Sequence, residues 1–378
     1  MSEMSYLEKL LDGVEVEWVT LGSMADIGTG SSNRQDESEN GIYPFYVRSK
    51  NILKSDTFEF DEVAIVIPGE GGIGDIFHYV EGKYALHQRA YRIRITTNAV
   101  DTKFLYYFMS SSFKQYILTK SVGATAISIR KPMLEGFKVP IPSPDNPEKS
   151  LAIQSEIVRI LDKFTALTAE LTAELTMRKK QYNYYRDQLL SFKEGEVEWK
   201  TLGEVAVIGT GNHDTQDAIE HGKYIFYARG REPLKLNVFD FDETAIITAG
   251  DGAGVGKVFH YAKGKYALHQ RAYRIVPNAF MNPRFVYHYI TAYFFTYIQK
   301  ASVSSSVTSL RRPMFLKFPI PVPPSEEQAR IVEILDKFDT LTNSITEGLP
   351  REIELRQKQY EYYRDLLFSF PKPETVSN

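Results

Sequence analysis

Cysteine is absent from the 378 residues, which excludes disulfides, thiol catalysis and thiolate metal sites. No window approaches the roughly 18 uncharged apolar residues that a membrane helix needs, so no membrane span is expected. The first residues, Met1 to Leu11, mix Glu3 and Glu8 with Lys9 and leucines. They lack a basic start followed by an apolar run, so no secretion signal is expected. A cytoplasmic location fits these absences. A basic excess is also missing: the formal charge is -3, whereas a free-standing DNA binder is usually net basic. Any nucleic-acid surface must then be a local patch, aided by a partner. What the chain does have is core material. Hydrophobic residues make up 43%, with 23 Phe and 24 Tyr, enough for two domains.

An internal repeat fixes the organisation. Gly82 to Ile93 reads GKYALHQRAYRI, and Gly264 to Ile275 repeats it unchanged. In the same order, Glu15-Val16-Glu17-Trp18 matches Glu196-Val197-Glu198-Trp199, and Phe77-His78-Tyr79 matches Phe259-His260-Tyr261. Arg130-Lys131-Pro132-Met133 matches Arg311-Arg312-Pro313-Met314. Ile160-Leu161-Asp162-Lys163-Phe164 matches Ile334-Leu335-Asp336-Lys337-Phe338, and Tyr184-Tyr185-Arg186-Asp187 matches Tyr362-Tyr363-Arg364-Asp365. The chain is a tandem duplication. Tyr6 to Gly22 also echoes Tyr185 to Gly203. The first segment thus resembles the tail of a helical repeat that packs beside the C-terminal helix; the plainer alternative is a frayed amphipathic helix.

Each module opens with a globular part and closes with a long helix. Phe60 to Pro68, Tyr84 to Ile95, Phe241 to Thr248 and Tyr266 to Val276 read as strands. Phe104 to Lys120 and Arg284 to Lys300 read as aromatic-rich helices. Proline runs at 140–144 and 319–324 mark boundaries, because proline breaks helices and gives up a backbone donor. Beyond the first run, Ile157, Leu161, Phe164, Leu167, Leu171 and Leu175 recur at three- and four-residue steps, and Tyr182, Tyr185, Leu189 and Phe192 continue the stripe. Unbroken, that helix would extend roughly 60 Å. The second helix carries Ile331, Leu335, Phe338, Leu341 and Ile345, then Gly348-Leu349-Pro350, which predicts a break with a fresh helix at Pro350. The expected fold is α+β: two mixed α/β domains separated by an antiparallel pair of long coiled-coil helices, in a pseudo-twofold repeat. The alternative is that each helix folds back on its own domain. The expected divisions are a helix at 1–12, a domain at 13–149, a spacer at 150–194, a domain at 195–324, a spacer at 325–370 and a disordered tail at 371–378.

The duplication tests catalytic motifs, since a shared one should appear twice. Gly69, Gly71 and Gly74 satisfy G-x-G-x-x-G, but the second copy has Gly250, Gly252 and then Val255, and a strand-like segment follows instead of a helix. Gly256-Lys257 suggests a phosphate loop, yet Asp251 and Val258 stand where Gly and Ser or Thr are needed. Both segments read as tight turns whose amides can still approach a phosphate. Asp75 and Glu81 suggest nuclease acids, but Lys257 and Lys263 replace them in the second copy. The seven histidines show no ligand spacing, so no metal site is expected, and no catalytic residue is assigned.

Basic and polar residues remain. The candidate DNA contacts are Arg48, Ser49, Lys50, Arg229 and Arg231; His87, Gln88, Arg89, His269, Gln270 and Arg271 inside the repeated strand; and Thr125, Ser128, Arg130, Lys131, Ser306, Ser309, Arg311 and Arg312. Such side chains suit phosphate anchoring and base-edge hydrogen bonds. For the His-Gln-Arg segment, core packing and turn bonding stand equally open. For Arg130 and Arg312, a solvated helix start is the plainer reading. The copies agree in helices and central strand but diverge over 29–54 against 210–235, and over 123–129 against 304–310. One scaffold with two unlike loop sets suggests two different targets.

Together these features resemble the specificity subunit of a type I restriction-modification system over nearly the whole chain. The residues carrying the resemblance are Val16-Glu17-Trp18 and Val197-Glu198-Trp199, the glycine turns, the proline-rich exits, and Ile331 to Asp336 with Gln328 before them. The spacer adds Thr168-Ala169-Glu170-Leu171 followed by Thr172-Ala173-Glu174-Leu175. The resemblance implies a non-catalytic subunit with two target-recognition domains that reads a bipartite DNA site. It implies two modification subunits as partners and, through the complex, motor-nuclease restriction subunits. Those partners would carry S-adenosylmethionine, ATP and Mg, so no cofactor is expected on this chain. The alternatives are a stand-alone regulator of bipartite sites, which the acidic balance disfavours, a nuclease or methyltransferase, which the missing motifs disfavour, and a coiled-coil interaction protein.

Overall fold

The computed structural model describes residues 6–72, 74–120, 128–193, 195–301, 309–344 and 346–372. The chain divides into two compact units, one of residues 1–171 and 353–378, the other of residues 172–352. The long helix therefore belongs to both.

The first unit starts with α1 (Tyr6–Leu11) and β1 (Val16–Thr20). The strands β2 (Ala25–Thr29), β3 (Tyr43–Tyr46), β4 (Leu53–Ser55), β5 (Phe60–Pro68), β6 (His78–Leu86) and β7 (Ala90–Ile95) then form one six-stranded sheet in the order β2-β7-β5-β6-β3-β4. All its pairings are antiparallel except β3 with β6, so the sheet is mixed. Helix α2 (Thr102–Lys120) buries Phe104, Leu105, Phe108, Met109 and Phe113 in the core with Ile65, Ile67 and Ile93 of the sheet. After α3 (Lys131–Glu135) comes β8 (Lys138–Pro142), paired antiparallel with β1. The proline-rich exit is thus a strand and not a bare linker. Two strands leave each an outer edge unpaired, and proline is tolerated where no ladder donor is required.

Helix α4 (Pro147–Leu189) follows as one continuous element. The second unit repeats the plan with β9 (Glu198–Thr201), α5 (Leu202–Val205), β10 (Ala206–Thr210), β11 (Tyr224–Tyr227), β12 (Leu234–Leu236), β13 (Phe241–Ala249), β14 (Phe259–Leu268), β15 (Ala272–Pro277), α6 (Pro283–Ala301), α7 (Arg312–Leu316) and β16 (Pro319–Val322). Its sheet order, β10-β15-β13-β14-β11-β12, is that of the first unit. Helices α8 (Ser325–Asn343) and α9 (Gly348–Leu367) complete the chain. The expected break lies between them, and Gly348 has φ +77° where a β-carbon would meet Thr340 O.

Two fully buried glutamines lock spacer to domain. Gln154 Oε1 accepts from Asp101 N at 2.8 Å while Nε2 donates to Ala99 O at 2.9 Å. Gln328 makes the same pattern with Asn282 N and Phe280 O. Within each unit the helices run antiparallel. In the first, Phe164 stacks on Tyr363, while Ile157 and Leu161 share a core with Leu367 and Phe368. In the second, Tyr185 stacks on Phe338, while Leu190 shares a core with Ile331 and Leu335. The stripe is packed at its ends and thinner between them: Leu167 is 36% exposed, and Leu171 and Leu175 are only half-buried. Two helices alone cover only one side of each other.

The segment before β1 does join the C-terminal helix. Leu7 and Leu11 are buried in the core that holds Leu367, Phe368 and Phe370, and Trp18 Nε1 donates to Pro371 O at 2.8 Å. Burying Phe368 and Leu367 contributes roughly 2 kcal/mol each, so this closure is a substantial part of the first unit's stability. Of the expected tail, residues 373–378 lie outside the described residues.

Candidate nucleic-acid interface

The invariant segment His87-Gln88-Arg89 is a tight turn between β6 and β7, and His269-Gln270-Arg271 is its equal between β14 and β15. This corrects the expectation of a single strand through the repeat: each predicted strand is two, folded at these three residues. His87 and His269 are buried, at 7% and 1% exposure. Their Nδ1 atoms accept from Arg89 N at 3.0 Å and Arg271 N at 2.9 Å, and the rings stack on Phe45 and Phe226. Burial and the neighbouring arginine charge push both imidazoles below their ordinary pKa. They close the turn as neutral acceptors, the turn-bonding role left open beside DNA contact, and the turn holds Gln88, Arg89, Gln270 and Arg271 out into solvent.

In each unit this turn meets the loop after β3 or β11 through a shared carboxylate. Glu70 Oε2 accepts from Arg48 Nη1 and from Arg89 Nη1, both at 3.1 Å. Asp251 accepts from Arg229 Nη1 at 2.9 Å and from Arg271 Nη1 at 3.1 Å. The hydrogen bond from Arg89, reinforced by Arg48, holds Glu70 below the usual carboxylate range. Burial acts to raise Asp251, but the bonds from Arg229 and Arg271 outweigh it and leave Asp251 lowered. The two acids sit in the glycine turns, flanked by Gly71 at φ +68° and Gly252 at φ +83°. That confirms the tight-turn reading of both glycine segments.

A third segment closes on the same place. Ser128 bridges Glu70 and Ser309 bridges Asp251 across single β-pairs, with Ile129 N donating to Gly69 O at 2.9 Å and Leu310 N to Gly250 O at 2.7 Å. A depression of about 380 Å³ in the first unit is lined by Arg34, Arg48, Ser49, Glu70 and His87. One of about 320 Å³ in the second is lined by Asp251, Gln270, Arg271 and Ser309. The loop after β2 is pressed against the turn as well: at Gly30 and Gly211 a β-carbon would stand 1.8 Å from Leu86 O and Leu268 O.

The sequence-derived candidates sort accordingly. Arg48, Ser49, Arg89 and Ser128 gather around Glu70, Gln88 binds Asn33, and Arg229, Gln270, Arg271 and Ser309 gather around Asp251. Lys50 and Arg231 are exposed on the loops that carry Arg48 and Arg229. Arg130 and Arg311 are exposed at the N-caps of α3 and α7, with Arg312 next in line, while Lys131 lies 3.8 Å from Glu135 on its own helix. Thr125 and Ser306 lie outside the described residues. Strand arginines are spoken for elsewhere: Arg92 binds Asp26 at 2.7 Å and Glu62 at 3.1 Å, and Arg274 binds Glu243 at 2.7 Å. Sequence reasoning missed Glu70 and Asp251 as organisers. Their signal was present, since an acid follows the first glycine in both copies of the turn.

Residues 13–177 and 194–355 each match the model of the type I restriction modification DNA specificity domain. The chain is 42% identical to the EcoR124I/EcoR124II specificity subunit of Escherichia coli, covering 100% of both proteins. It is 37% identical to the EcoprrI specificity subunit of the same species, over 92% of this chain and 93% of that one. In fold it is similar to the type I restriction-modification S subunit from M. genitalium, with a TM-score of 0.68, 18% identity and coverage of 96% and 98%. Among the described residues no helix is long and apolar enough to cross a membrane.

Proposed function

This chain belongs to the family of type I restriction-modification DNA specificity subunits, and on that premise we propose that the loop cluster around Glu70 reads one half-site and the cluster around Asp251 the other. The chain is the non-catalytic, DNA-recognising member of its system, with a bipartite target. The observation that carries the residue assignment is the duplicated arginine–carboxylate–arginine turn. Its frame is the same in both units, and the loops pressed against it differ.

Physical reasons favour this surface. Arg48, Arg89, Arg229 and Arg271 are between 42% and 65% exposed at the side chain. Each is held by a carboxylate that a phosphate or guanine edge can match in geometry. Ser49, Ser128 and Ser309, with Lys50, Arg130, Lys131, Arg231, Arg311 and Arg312, supply sequence-independent anchoring around them. The net charge of -3 is compatible with DNA binding when partners share the phosphate contacts. The finer assembly we propose is two modification subunits per chain, which carry S-adenosylmethionine, with motor-nuclease subunits carrying ATP and Mg. A DNA substrate places the work in the cytoplasm.

The test is to co-express the chain with its modification subunit and map methylated adenines. We expect a bipartite motif in a complex of two modification subunits to one specificity subunit. Arg48→Ala with Arg89→Ala should relax one half-site and Arg229→Ala with Arg271→Ala the other. A motif that is not bipartite, or pairs of variants that relax both halves alike, would overturn the reading.

A further inference from the structure

Gln88 and Gln270 are the middle residues of the invariant turns, and both are exposed. Each donates through Nε2 to one side chain of the loop after β2 or β10. Gln88 donates to Asn33 Oδ1, and Gln270 donates to Asp214 Oδ2 at 2.9 Å. The backbone beneath is the same in both units. Gln88 N donates to Ser32 O at 2.9 Å and Gln270 N to His213 O at 2.8 Å. Asn33 and Asp214 each cap a single helical turn, Arg34–Asp36 or Thr215–Asp217. Their own amides donate to the third residue's carboxylate, at 2.6 Å from Asp36 Oδ2 and 2.7 Å from Asp217 Oδ2. On one frame, then, the duplicated dyad differs by an amide against a carboxylate.

That single difference changes what faces outward. Oδ1 of Asn33 is committed to Gln88, which leaves the Nδ2 amino group as the donor of that side chain. The first unit presents a donor on Asn33 beside the acceptor Oε1 of Gln88. Asp214 is held well below the usual carboxylate range by the Gln270 bond and the turn's backbone amides. In the second unit the capping side chain presents only acceptors, the Asp214 carboxylate, beside Oε1 of Gln270.

We propose that this dyad is a base-reading pair, matched to adenine in the first unit and to cytosine in the second. In the major groove adenine shows the N7 acceptor next to the N6 amino donor, which a donor–acceptor pair satisfies. Cytosine shows the N4 amino donor, which a carboxylate accepts. Guanine, with only N7 and O6 acceptors there, and thymine, with the O4 acceptor, would each set a lone pair against the carboxylate. The inference rests on the loop clusters being the DNA-reading surface.

Asn33→Asp and Asp214→Asn test it in the co-expressed modification complex. Asn and Asp are equivalent as helix caps, so neither change removes the turn that positions the dyad. Methylated adenines are mapped, and duplexes carrying each of the four bases at every position of the motif compete for the complex. The expected result is a switch at one base pair of one half-site, from adenine to cytosine for Asn33→Asp and from cytosine to adenine for Asp214→Asn. The competition ratio at that base pair should reverse by about tenfold or more, the scale of one good base contact. An unchanged motif in both variants overturns the proposal, as does a change spread over both half-sites. A variant complex of normal composition that methylates no site also counts against it, since a switched reader still modifies a switched target. Failure of the broader reading is distinct: the unaltered complex would then show no bipartite motif.

Discussion

His288 Nε2 lies 2.7 Å from Asp336 Oδ1, and the same oxygen accepts from Arg284 Nη2 at 2.6 Å. In the first unit the corresponding positions hold Tyr107 OH, 2.6 Å from Asp162 Oδ1, and Lys103 Nζ, 2.7 Å from Asp162 Oδ2. One aspartate of the repeated Ile-Leu-Asp-Lys-Phe segment thus ties each spacer helix to its own domain, through a different pair of donors. Burial acts to raise Asp336, but the hydrogen bonds from His288 and Arg284, with the Arg284 charge, leave it below its ordinary value. Asp336→Asn should therefore cost the second unit about 2 kcal/mol at neutral pH, allowing for partial exposure. A depressed folded pKa stabilises above the ordinary carboxylate value and ceases to do so as pH falls through the folded value. Chemical denaturation at a series of pH values should show the gap between Asp336→Asn and the unaltered chain narrowing into acid. A gap that widens there would contradict the assignment.

Glu70→Gln keeps the shape of the first clamp and removes its charge. Arg48 and Arg89 then face solvent without their shared counter-charge, and the patch becomes more positive. Non-specific DNA should bind a few-fold more tightly at low ionic strength, with the gain fading as salt screens the exposed guanidinium groups. Discrimination at one half-site should fall and the other should be unaffected. Salt titration of the modification complex on random and cognate duplexes reads both effects. A gain that persists unchanged at high salt would exclude an electrostatic origin.

Much of this was legible because the chain carries its own comparison. Repeated hydrophobic spacing located α2, α4, α6 and α8, and the Gly348-Leu349-Pro350 break fell where a left-handed residue must begin α9. Local pattern failed at Gly82 to Ile93. The apolar residues of β6 and β7 run on with only His87, Gln88 and Arg89 between them, and no Gly or Pro marks the turn. There a buried imidazole accepting a backbone amide does what turn residues usually do, and only tertiary packing on Phe45 reveals it. The clamps were half legible. Basic residues stood out by charge, but Glu70 and Asp251 meet partners 19 to 22 positions away, a pairing that sequence spacing does not encode.

Gly211 offers a test that touches no polar group. A β-carbon there would stand 1.8 Å from Leu268 O, and the residues on the two sides of that contact, Thr210 and Leu268, are the last residues of strands β10 and β14. Gly211→Ala must push the β10 loop off the turn, carrying Asp214 away from Gln270. We expect loss of one half-site with the other retained, seen as methylation at sites that keep only half of the motif. The second unit should still fold, because the strain falls at the rim of its sheet. Retention of the full motif by Gly211→Ala would show that contact between loop and turn is dispensable for reading.

The repeated tetrapeptides Thr168 to Leu171 and Thr172 to Leu175 lie within the unbroken helix α4. A further Thr-Ala-Glu-Leu adds about 6 Å of helix, equivalent to one or two base-pair steps of roughly 3.4 Å. Four residues also turn the helix by about 400°, only some 40° beyond a full turn, so the apolar stripe keeps its direction. The gap between half-sites should widen by one or two base pairs while both half-sites stay the same. Inserting only two residues turns the helix beyond the insertion by about 200° and throws the apolar stripe along α4 out of phase. That variant should lose stability instead of acquiring a new spacing. Methylation mapping of both insertions separates the outcomes: altered half-sites with an unchanged gap would refute a spacing role for α4, and equal tolerance of two and four residues would show that its helical phase is irrelevant.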